Sequence, residues 1–502
     1  MPDKNKRPNV IFIYSDQLRA DAIACAGNKD VKTPHIDRLA GEGVRFENAF
    51  VSYPLCTPFR ASLLTGKYAH ATGVYSNHFP IPTDQVFLAT LLGQAGYKTG
   101  YIGKWHLYGG PKPGFVPPGP DRLGFEHFVG FNRGHEYMRS IYYRDTDQAY
   151  HSKRYEPDYQ TDHLIEFMQG CVGSSPDSPF FGYVCLGPPH FPMDMPAHWK
   201  SMYDPNTVTL PHGVPNPQLQ RTVQKQVIEH EFNGNPALAE TSKTETEKVA
   251  PGEAESEAAI REFVAQYYGM ISNVDFNVGR ILNWLDASDL ANDTIVVFFS
   301  DHGDMLGQHG HYCGIKRRPY RGSMQVPVVV RYPARFAGGQ TPKSLIDFAV
   351  DTMPTILDLC GVQTPPDVQG NSYLPILDGQ DTSVRDHVYY ELMLQSGGQK
   401  SEVHLQPRRG IRTREWLYVR EQGRRTMLFD LLADPHEEVN LVGQPDRAGL
   451  MDSFDTRIKE IMQSTGDDWG KEGSFPPPNY VTHEQGAIIH REILASNSIE
   501  TS

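Results

Sequence analysis

The chain is constrained most strongly by five short segments that are mainly apolar along their whole length, at 9–14, 99–103, 180–186, 294–299 and 326–330. Polar and apolar positions do not alternate within them. Continuous apolar runs of this kind are typical of strands that are buried on both faces, as in a parallel sheet covered by helices. The segments therefore predict a core built on a parallel sheet with a helical layer on each side.

Helical patterns lie between these segments. Apolar residues recur at helical spacing over 257–285, the longest predicted helix, and over 87–95, which is followed by Gly96 as a C-terminal cap. Thr33 followed by Pro34 predicts an N-cap and the first helical residue of another helix. Strands that alternate with helices predict the α/β class, with a large, mostly parallel central sheet flanked by helices.

The character of the sequence changes after about residue 385. Segments 410–419 and 426–430 predict antiparallel strands, and apolar residues at helical spacing predict a helix over 447–462. The polar stretch 204–258 predicts a surface excursion. We therefore expect a large domain at 1–385 and a smaller C-terminal α+β domain at 386–502, which ends in a surface tail.

Charge and composition exclude several classes of protein. The net charge is −13, so no global attraction to nucleic acid or to an anionic membrane is expected. No segment approaches the ~20 apolar residues that span a bilayer, and the first apolar run is too short for a signal peptide. The sequence as it stands predicts a soluble cytoplasmic protein, or a periplasmic one if a leader has been removed. Six cysteines without a CxxC pair argue against a disulfide scaffold and structural zinc.

Polar residues with catalytic chemistry follow four of the predicted strands. They are Ser15-Asp16-Gln17, Lys104-Trp105-His106, Gly187-Pro188-Pro189-His190 and Ser300-Asp301-His302-Gly303-Asp304. Because ligands of open α/β sheets bind beyond the carboxyl ends of the strands, these residues are expected to form one site. A single aspartate at a strand end is more often a cap or a turn former, but two adjacent polar pairs favour a site.

Two of these strand ends carry ligands that suit a metal ion. Asp16 and Gln17 follow the first strand, and Asp301 and His302 follow the fourth. Mostly oxygen ligands suit a hard divalent cation such as Ca²⁺, Mg²⁺ or Mn²⁺ better than zinc.

The most specific motif is Cys56-Thr57-Pro58-Phe59-Arg60, which is followed by Leu64-Thr65-Gly66. Pro58 suits the first turn of a helix. Cys56 is then expected at the positive end of that helix beside Arg60, a position that favours anions. The alternative is a buried structural cysteine, which is the interpretation adopted for the other five.

This motif resembles the signature of the formylglycine-dependent (type I) sulfatases of the alkaline phosphatase-like superfamily. Residues 100–107, with Lys104 and His106, resemble the second signature of that family, and the resemblance extends over most of the chain to 428–441. It implies an alkaline phosphatase-like fold, a catalytic domain at 1–385 and oxidation of Cys56 to formylglycine. The enzyme that performs this oxidation would be a formylglycine-generating or an anaerobic sulfatase-maturing enzyme.

The resemblance also implies ligands for one divalent cation, most often Ca²⁺, with Mg²⁺ or Mn²⁺ as alternatives. These ligands are Asp16, Gln17, Asp301, His302 and the oxidised Cys56.

The same resemblance implies catalytic roles. A hydroxyl of the hydrated formylglycine would attack sulfur, with its effective pKa lowered by the cation and Arg60. Lys104, His190 and Lys316 would neutralise the sulfate and the leaving oxygen. His190 or Lys316 would protonate that oxygen, and His106 would take a proton from the second hydroxyl.

The pairs Asp16-Gln17 and Asp301-His302 depart from the Asp-Asp and Asp-Asn pairs that many sulfatases carry. They are similar to those of choline sulfatases and phosphonate monoester hydrolases, so the reaction specificity stays open. A sulfate monoester and a phosphonate or phosphate diester both present a singly anionic tetrahedral group.

Substrate residues are expected in the loop that holds Arg133 and His135, with His404 as a further candidate. An aromatic patch that merely stabilises this loop is an equal alternative.

Three functional hypotheses follow. The first is hydrolysis of a sulfate monoester, with a sulfated carbohydrate as the preferred substrate class. The second is phosphonate monoester or phosphodiester hydrolysis, or choline sulfatase activity, with the same nucleophile. The third is a glycan-binding relative without catalytic activity. The oligomeric state is not indicated by the sequence.

Overall fold

The computed structural model describes residues 7–469 except 111, 176, 215–255, 312, 381 and 394–406. The strands, in chain order, are β1 (Asn9–Asp16), β2 (Val44–Arg45), β3 (Asn48–Phe50), β4 (Lys98–Lys104), β5 (His127–Phe131), β6 (Ile141–Tyr142), β7 (Tyr150–His151), β8 (Phe180–Pro189), β9 (Thr294–Ser300), β10 (Val328–Arg331), β11 (Leu345–Asp347), β12 (Val388–Leu392), β13 (Arg408–Arg412), β14 (Trp416–Glu421) and β15 (Arg424–Asp430).

The α-helices are α1 (Pro34–Gly41), α2 (Cys56–Thr65), α3 (Ala69–Thr72), α4 (Leu88–Gln94), α5 (Glu156–Ser174), α6 (Ala197–Lys200), α7 (Glu257–Ala287), α8 (Arg321–Met324), α9 (Phe348–Leu359), α10 (Leu374–Leu377) and α11 (Ala448–Thr465). None of these helices is both long and apolar enough to cross a membrane.

The central sheet has the strand order β2-β10-β9-β1-β8-β4-β5. The five strands from β9 to β5 run parallel, and β1 is buried along its whole length because helices cover both faces. The prediction of a mostly parallel α/β sheet is confirmed. The segment predicted at 326–330 forms β10, but β10 runs antiparallel to β9. The chain returns from β9 through a loop, without the crossover helix that a parallel neighbour requires.

The helices match their predicted positions, although one cap differs. Helix α7 begins after Ser256, whose hydroxyl accepts from the backbone of Ala259 at 3.1 Å. Thr33 is the N-cap residue of α1 and Pro34 is the first helical residue, as predicted, but the Thr33 hydroxyl does not cap the helix: it accepts from the backbone N–H of Ala24 and donates to Asp37. The carboxylate of Asp275 on α7 accepts from the first free N–H groups of α1, and thereby satisfies them from a distant element.

The C-terminal region forms an antiparallel sheet with the order β12-β13-β14-β15, and α11 packs on it. The segment predicted as one strand at 410–419 is divided between β13 and β14, because the hydroxyl of Thr413 accepts from the backbone of Glu415 and Trp416 and closes a turn. Most of the predicted surface excursion and the tail beyond 469 lie outside the described residues.

Candidate active site

The predicted strand ends meet at one edge of the central sheet. Asp16 at the end of β1 accepts a hydrogen bond from Nζ of Lys104, at the end of β4, at 2.8 Å. Sγ of Cys56 lies 3.7 Å from Oδ1 of Asp16 and 3.3 Å from Nε2 of His302, which follows β9. Three strand ends that are far apart in the sequence therefore meet beside the cysteine.

Cys56 is the first residue of α2, and every residue of that helix is buried. The next N–H of the helix, that of Thr57, donates to Oδ1 of Asn77 at 3.0 Å. Burial is the largest influence on the Cys56 thiol and raises its pKa, but the ammonium groups of Lys316 and Lys104 bring the net pKa below the ordinary value. The cysteine thus lies in a cationic environment at a helix N-terminus.

Arg60, one turn later in α2, ties the ends of two strands together. Its guanidinium donates to the carbonyl of Lys104 at 2.7 Å and to Asp16 at 3.4 Å, and it lies 4.4 Å from the centre of the Tyr14 ring. The same group donates to Sγ of Cys185 at 3.1 Å. Arg60 is buried, and both of its terminal nitrogens are hydrogen-bonded, so it holds Asp16 and Lys104 in place.

The other cysteines are free thiols. Cys171, Cys185 and Cys360 are buried, as expected of structural cysteines, whereas Cys25 and Cys313 are partly exposed.

Four side chains form a potential metal site. Asp16, Cys56, Asp301 and His302 each offer one ligand atom, these atoms lie within 4.8 Å of one another, and all four residues are buried. A second group of this kind in the described chain, His70, Glu391 and Asp467, lies between α3 and the C-terminal region.

The chemistry of the first group fits a cation. Nδ1 of His302 lies 2.9 Å from the carbonyl of Gly303, and Nε2 lies 3.1 Å from Oδ2 of Asp301. Burial lowers the pKa of His302, but Asp301 raises it to about 9, so that Nε2 is protonated and paired with Asp301 when no cation is bound. A divalent cation can replace that proton and bind both atoms.

Gln17 presents its amide oxygen to the same cluster. Its backbone has the left-handed value φ = 66° and is held by Asp301, which accepts from its N–H at 3.0 Å, and by Tyr267, which donates to its carbonyl at 2.6 Å. Its Nε2 donates to Asp304 at 2.7 Å, which turns Oε1 toward Nζ of Lys316, 2.9 Å away. Asp304 was visible in the sequence as a strand-end residue but had no predicted role.

Lysine and histidine side chains border the cysteine. Nζ of Lys316 lies 3.4 Å from Sγ of Cys56 and 2.9 Å from Nε2 of His190. His190 stacks on His135 with ring centroids 3.8 Å apart, and Nε2 of His135 lies 2.9 Å from Nζ of Lys104. His135 was predicted as a substrate residue, and the structure places it between Lys104 and His190.

Both of these histidines are neutral at neutral pH. Burial lowers the pKa of His190 well below its usual range, and His135 and Lys316 lower it further. Burial, followed by Lys104, does the same to the pKa of His135. Each Nε2 can therefore accept a hydrogen bond from a lysine ammonium group.

His106 follows β4, and its ring is fixed by one bond. Nε2 lies 3.0 Å from the carbonyl of Asn77, and Nδ1 is buried without a hydrogen-bond partner in the described part of the chain. Burial, followed by the charges of Lys104 and Arg133, lowers the pKa of His106 well below its usual range. The imidazole is thus neutral, with its lone pair on Nδ1.

Of the predicted substrate residues, Arg133 is buried and donates to Nδ1 of His78 at 3.2 Å. His404 lies outside the described residues. The neighbouring Tyr142 is buried against Phe131 and Tyr159, so the aromatic residues of this region stabilise the loop.

Comparisons with known proteins agree with this geometry. The sulfatase family model matches residues 8–362, and the model for the C-terminal part of N-sulphoglucosamine sulphohydrolase matches residues 307–464. An ulvan-active sulfatase of Formosa agariphila is 30% identical over 471 residues, which cover 93% of this chain and 83% of that protein.

Two solved structures have the same fold. One was determined in complex with its substrate, D-glucosamine-2-N,6-O-disulfate; it has a TM-score of 0.76 at 26% identity and covers 93% of this chain and 100% of its own. The phosphonate monoester hydrolase of Agrobacterium radiobacter has a TM-score of 0.74 at 26% identity, with coverage of 91% and 96%.

The fold and the site define a hydrolase of the alkaline phosphatase-like superfamily. Within that superfamily, the chain belongs to the sulfatase family, whose members are sulfuric ester hydrolases. The expected fold is confirmed, including the smaller C-terminal antiparallel sheet.

Proposed function

We propose that this protein hydrolyses a sulfate monoester of a carbohydrate, using a formylglycine formed from Cys56 and a bound divalent cation. The observation that carries the proposal is the position of Sγ of Cys56, which lies at the start of α2 within 3.7 Å of Asp16 and 3.4 Å of Lys316. Family membership supports the reaction class, and the two carbohydrate-related similarities support the substrate class.

Asp16, Gln17, Asp301 and His302 would hold the cation together with the oxidised Cys56. Carboxylate and amide oxygens dominate this set, which favours Ca²⁺, with Mg²⁺ or Mn²⁺ as alternatives. The bound cation would supply positive charge to a sulfate oxygen and to the attacking hydroxyl.

The hydrated formylglycine would supply one hydroxyl that attacks sulfur and a second whose deprotonation releases sulfate. Arg60 positions Asp16 and Lys104 around that group. Lys104 is buried with its ammonium group 2.8 Å from Asp16, so it is placed to neutralise a sulfate oxygen. Nδ1 of His106 has a lone pair and no hydrogen-bond donor among the described residues, so it would receive the proton of the second hydroxyl.

Lys316 and His190 would act on the leaving oxygen. Their 2.9 Å hydrogen bond joins an ammonium group to a neutral imidazole, so a proton can be donated from this pair as the alcohol departs. His135, stacked on His190, keeps the His190 ring in place.

The test is expression with and without a maturing enzyme of either known type, followed by peptide mass spectrometry across Cys56. We expect sulfate release from sulfated saccharides only when Cys56 is converted to formylglycine. Cys56→Ser is expected to abolish this release, whereas Cys25→Ser, a change at a partly exposed cysteine, is expected to leave it unchanged.

Two results would contradict the proposal. Fully converted protein that leaves sulfate esters intact but hydrolyses phosphonate monoesters would identify a phosphonate monoester hydrolase. Converted protein that binds sulfated saccharides without turnover would identify a glycan-binding protein.

A further inference from the structure

Arg133 is a buried cation without a counter-charge among the described residues. It is 7% exposed, its side chain donates to Nδ1 of His78 at 3.2 Å, and its Nε has no hydrogen-bond partner among the described residues. It also forms no ion pair with a carboxylate in the described part of the chain. A buried charge normally requires a partner, because loss of hydration is costly.

Other buried arginines of this protein satisfy that requirement. Each of the following pairs joins a buried guanidinium to a carboxylate: Arg19–Asp21, Arg60–Asp16, Arg122–Asp145, Arg385–Asp351, Arg408–Glu421, Arg409–Asp467 and Arg412–Glu437. Arg133 therefore differs from them, because the described part of the protein supplies no anion to it.

Arg133 and His78 both lie next to residues that build the active site. Arg133 follows Asn132, whose carbonyl accepts from the backbone N–H of His106. His78 follows Asn77, which holds both the ring of His106 and the N–H of Thr57. The pair is thus connected to the catalytic residues through the backbone on both sides.

The surroundings of the pair are open and cationic. His78 is exposed, and a Cβ added at Gly134, beside Arg133, would meet no atom within 4 Å. Burial lowers the pKa of Arg133 to about 10, which still leaves the group charged at neutral pH. The charge of Lys112 also lowers the pKa of the nearby His135.

We propose that Arg133 and His78 form a subsite for a second anionic group of the substrate, a carboxylate or a second sulfate, beside the sulfate that is hydrolysed. The proposal rests on the proposed function, since it concerns the same substrate. A guanidinium group matches the planar geometry of a carboxylate and can form two parallel hydrogen bonds with either anion.

Two pairs of probes test the subsite and identify its anion. Glucosamine 6-sulfate is compared with glucosamine 2-N,6-O-disulfate, and a sulfated disaccharide that ends in a uronic acid is compared with its methyl ester. We expect kcat/KM to be about 10- to 100-fold higher for the doubly anionic member of one pair, the range typical of a hydrogen-bonded charge pair. The pair that shows the preference identifies the second sulfate or the carboxylate as the ligand.

Variants locate the preference. Arg133→Gln is expected to lower kcat/KM for the doubly anionic probe by about 10- to 100-fold. For the singly anionic probe, kcat/KM should change by less than about threefold. Arg133→Lys should retain part of the preference. Arg139→Gln, which removes the same charge from an exposed position in the same loop, should retain all of it.

Equal kcat/KM for both members of both pairs would overturn the subsite and leave the proposed function intact. If Arg133→Gln lowered kcat/KM equally for the singly and the doubly anionic probe, the subsite would also be overturned. An arginine with a merely structural role does not discriminate between the two probes. His78→Ala, at an exposed position, supplies a second variant if Arg133→Gln does not fold, and it should reduce the same ratio. Calorimetric titration of Cys56→Ala protein with the same probes measures the preference without turnover, so failure of the proposed function is distinguished from failure of the subsite.

Discussion

Asp304 accepts a hydrogen bond from the side-chain amide of Gln17 at 2.7 Å, and this bond sets which end of the amide faces Lys316. The carboxylate also accepts from the backbone N–H groups of Leu306 and Gly314, so its own position is fixed. The oxygen of Gln17, the atom that can bind a cation, consequently faces Lys316, whose ammonium group also contacts Cys56.

Replacement of Asp304 by Asn is expected to weaken cation binding. The new amide nitrogen would favour the flipped Gln17, whose NH₂ group then faces the cation site. Ca²⁺ affinity should fall by about 10- to 100-fold, as is usual when the partner of a metal ligand is changed. Calorimetric Ca²⁺ titration measures this, with Asp286→Asn at a surface ion pair as the control. Unchanged affinity in Asp304→Asn would show that Gln17 does not need this orientation.

Lys316 and His190 are expected to act as one unit. Because they share a hydrogen bond, Lys316→Ala and His190→Ala should each lower kcat by about 10²- to 10³-fold, as expected for loss of proton donation to the leaving group. The double variant should be little worse than the more damaging single variant. Steady-state kinetics on a sulfated saccharide test this, with the exposed Lys343→Ala as the control. Multiplicative losses in the double variant would indicate independent roles.

Glu156 makes stability depend on pH. It is 1% exposed, and burial raises its pKa from 4.5 to about 7, despite a 2.6 Å hydrogen bond from Ser140. The folded state therefore keeps a proton that the unfolded chain releases, so the free energy of unfolding falls as the pH rises from about 4.5 to about 7. The decrease is at most about 3 kcal/mol.

Glu156→Gln, which resembles the protonated acid, should remove this dependence. The variant should match the wild type near pH 5 and be the more stable protein above pH 7, as measured by urea denaturation at each pH. A constant difference between the two proteins across this range would contradict the assignment.

His70 connects the catalytic region to the C-terminal sheet, and its contribution to stability also falls as the pH rises, but over a higher pH range than that of Glu156. Nδ1 lies 2.7 Å from Glu391 and Nε2 lies 3.2 Å from the carbonyl of Thr465, so both nitrogens face acceptors. Burial, the largest influence, lowers the pKa of His70, but Glu391 and Asp467 raise it above the ordinary value of 6.5. The stabilisation by His70 is thus complete below about pH 6.5 and is lost as the pH rises through the higher folded pKa.

His70→Gln is expected to lower the free energy of unfolding by roughly 1–3 kcal/mol at pH 6, the range for a buried bond to a charged group. The deficit should shrink toward pH 9. Urea denaturation at both pH values measures it, and His151→Gln, at an exposed histidine, is the control. A deficit that is equal at both pH values would show that His70 is neutral in the folded protein.

The sequence predicted the parts of the site that lie at strand ends. Asp16, Lys104 and Asp301 follow continuous apolar segments, and parallel strands bring their carboxyl ends to one edge. The order of the strands and the antiparallel direction of β10 depend on long-range packing, which local patterns do not contain. The same holds for Asp304, whose bond to Gln17 joins residues that are 287 positions apart.

The contacts of loop residues could not be predicted from the local sequence. His135 lies in a loop without periodicity, so nothing in its local sequence placed it against His190. The N-cap position of Thr33 follows from the local sequence, but that sequence cannot reveal that Asp275, on another helix, accepts from the first free N–H groups of α1. The sequence shows Arg133 as a charged loop residue, but only the folded structure shows that it is buried and that none of the described residues supplies an anion to it.

The burial of Cys56 has a consequence for the order of events in biosynthesis. Its side chain is 1% exposed, and α2 is enclosed by the sheet on one side and by α9 on the other. An enzyme that oxidises this cysteine cannot bind an extended segment around it once the helix has packed. The proposed conversion must therefore take place on the nascent or unfolded chain, and protein that folds before meeting its maturing enzyme would stay inactive even if that enzyme were supplied later.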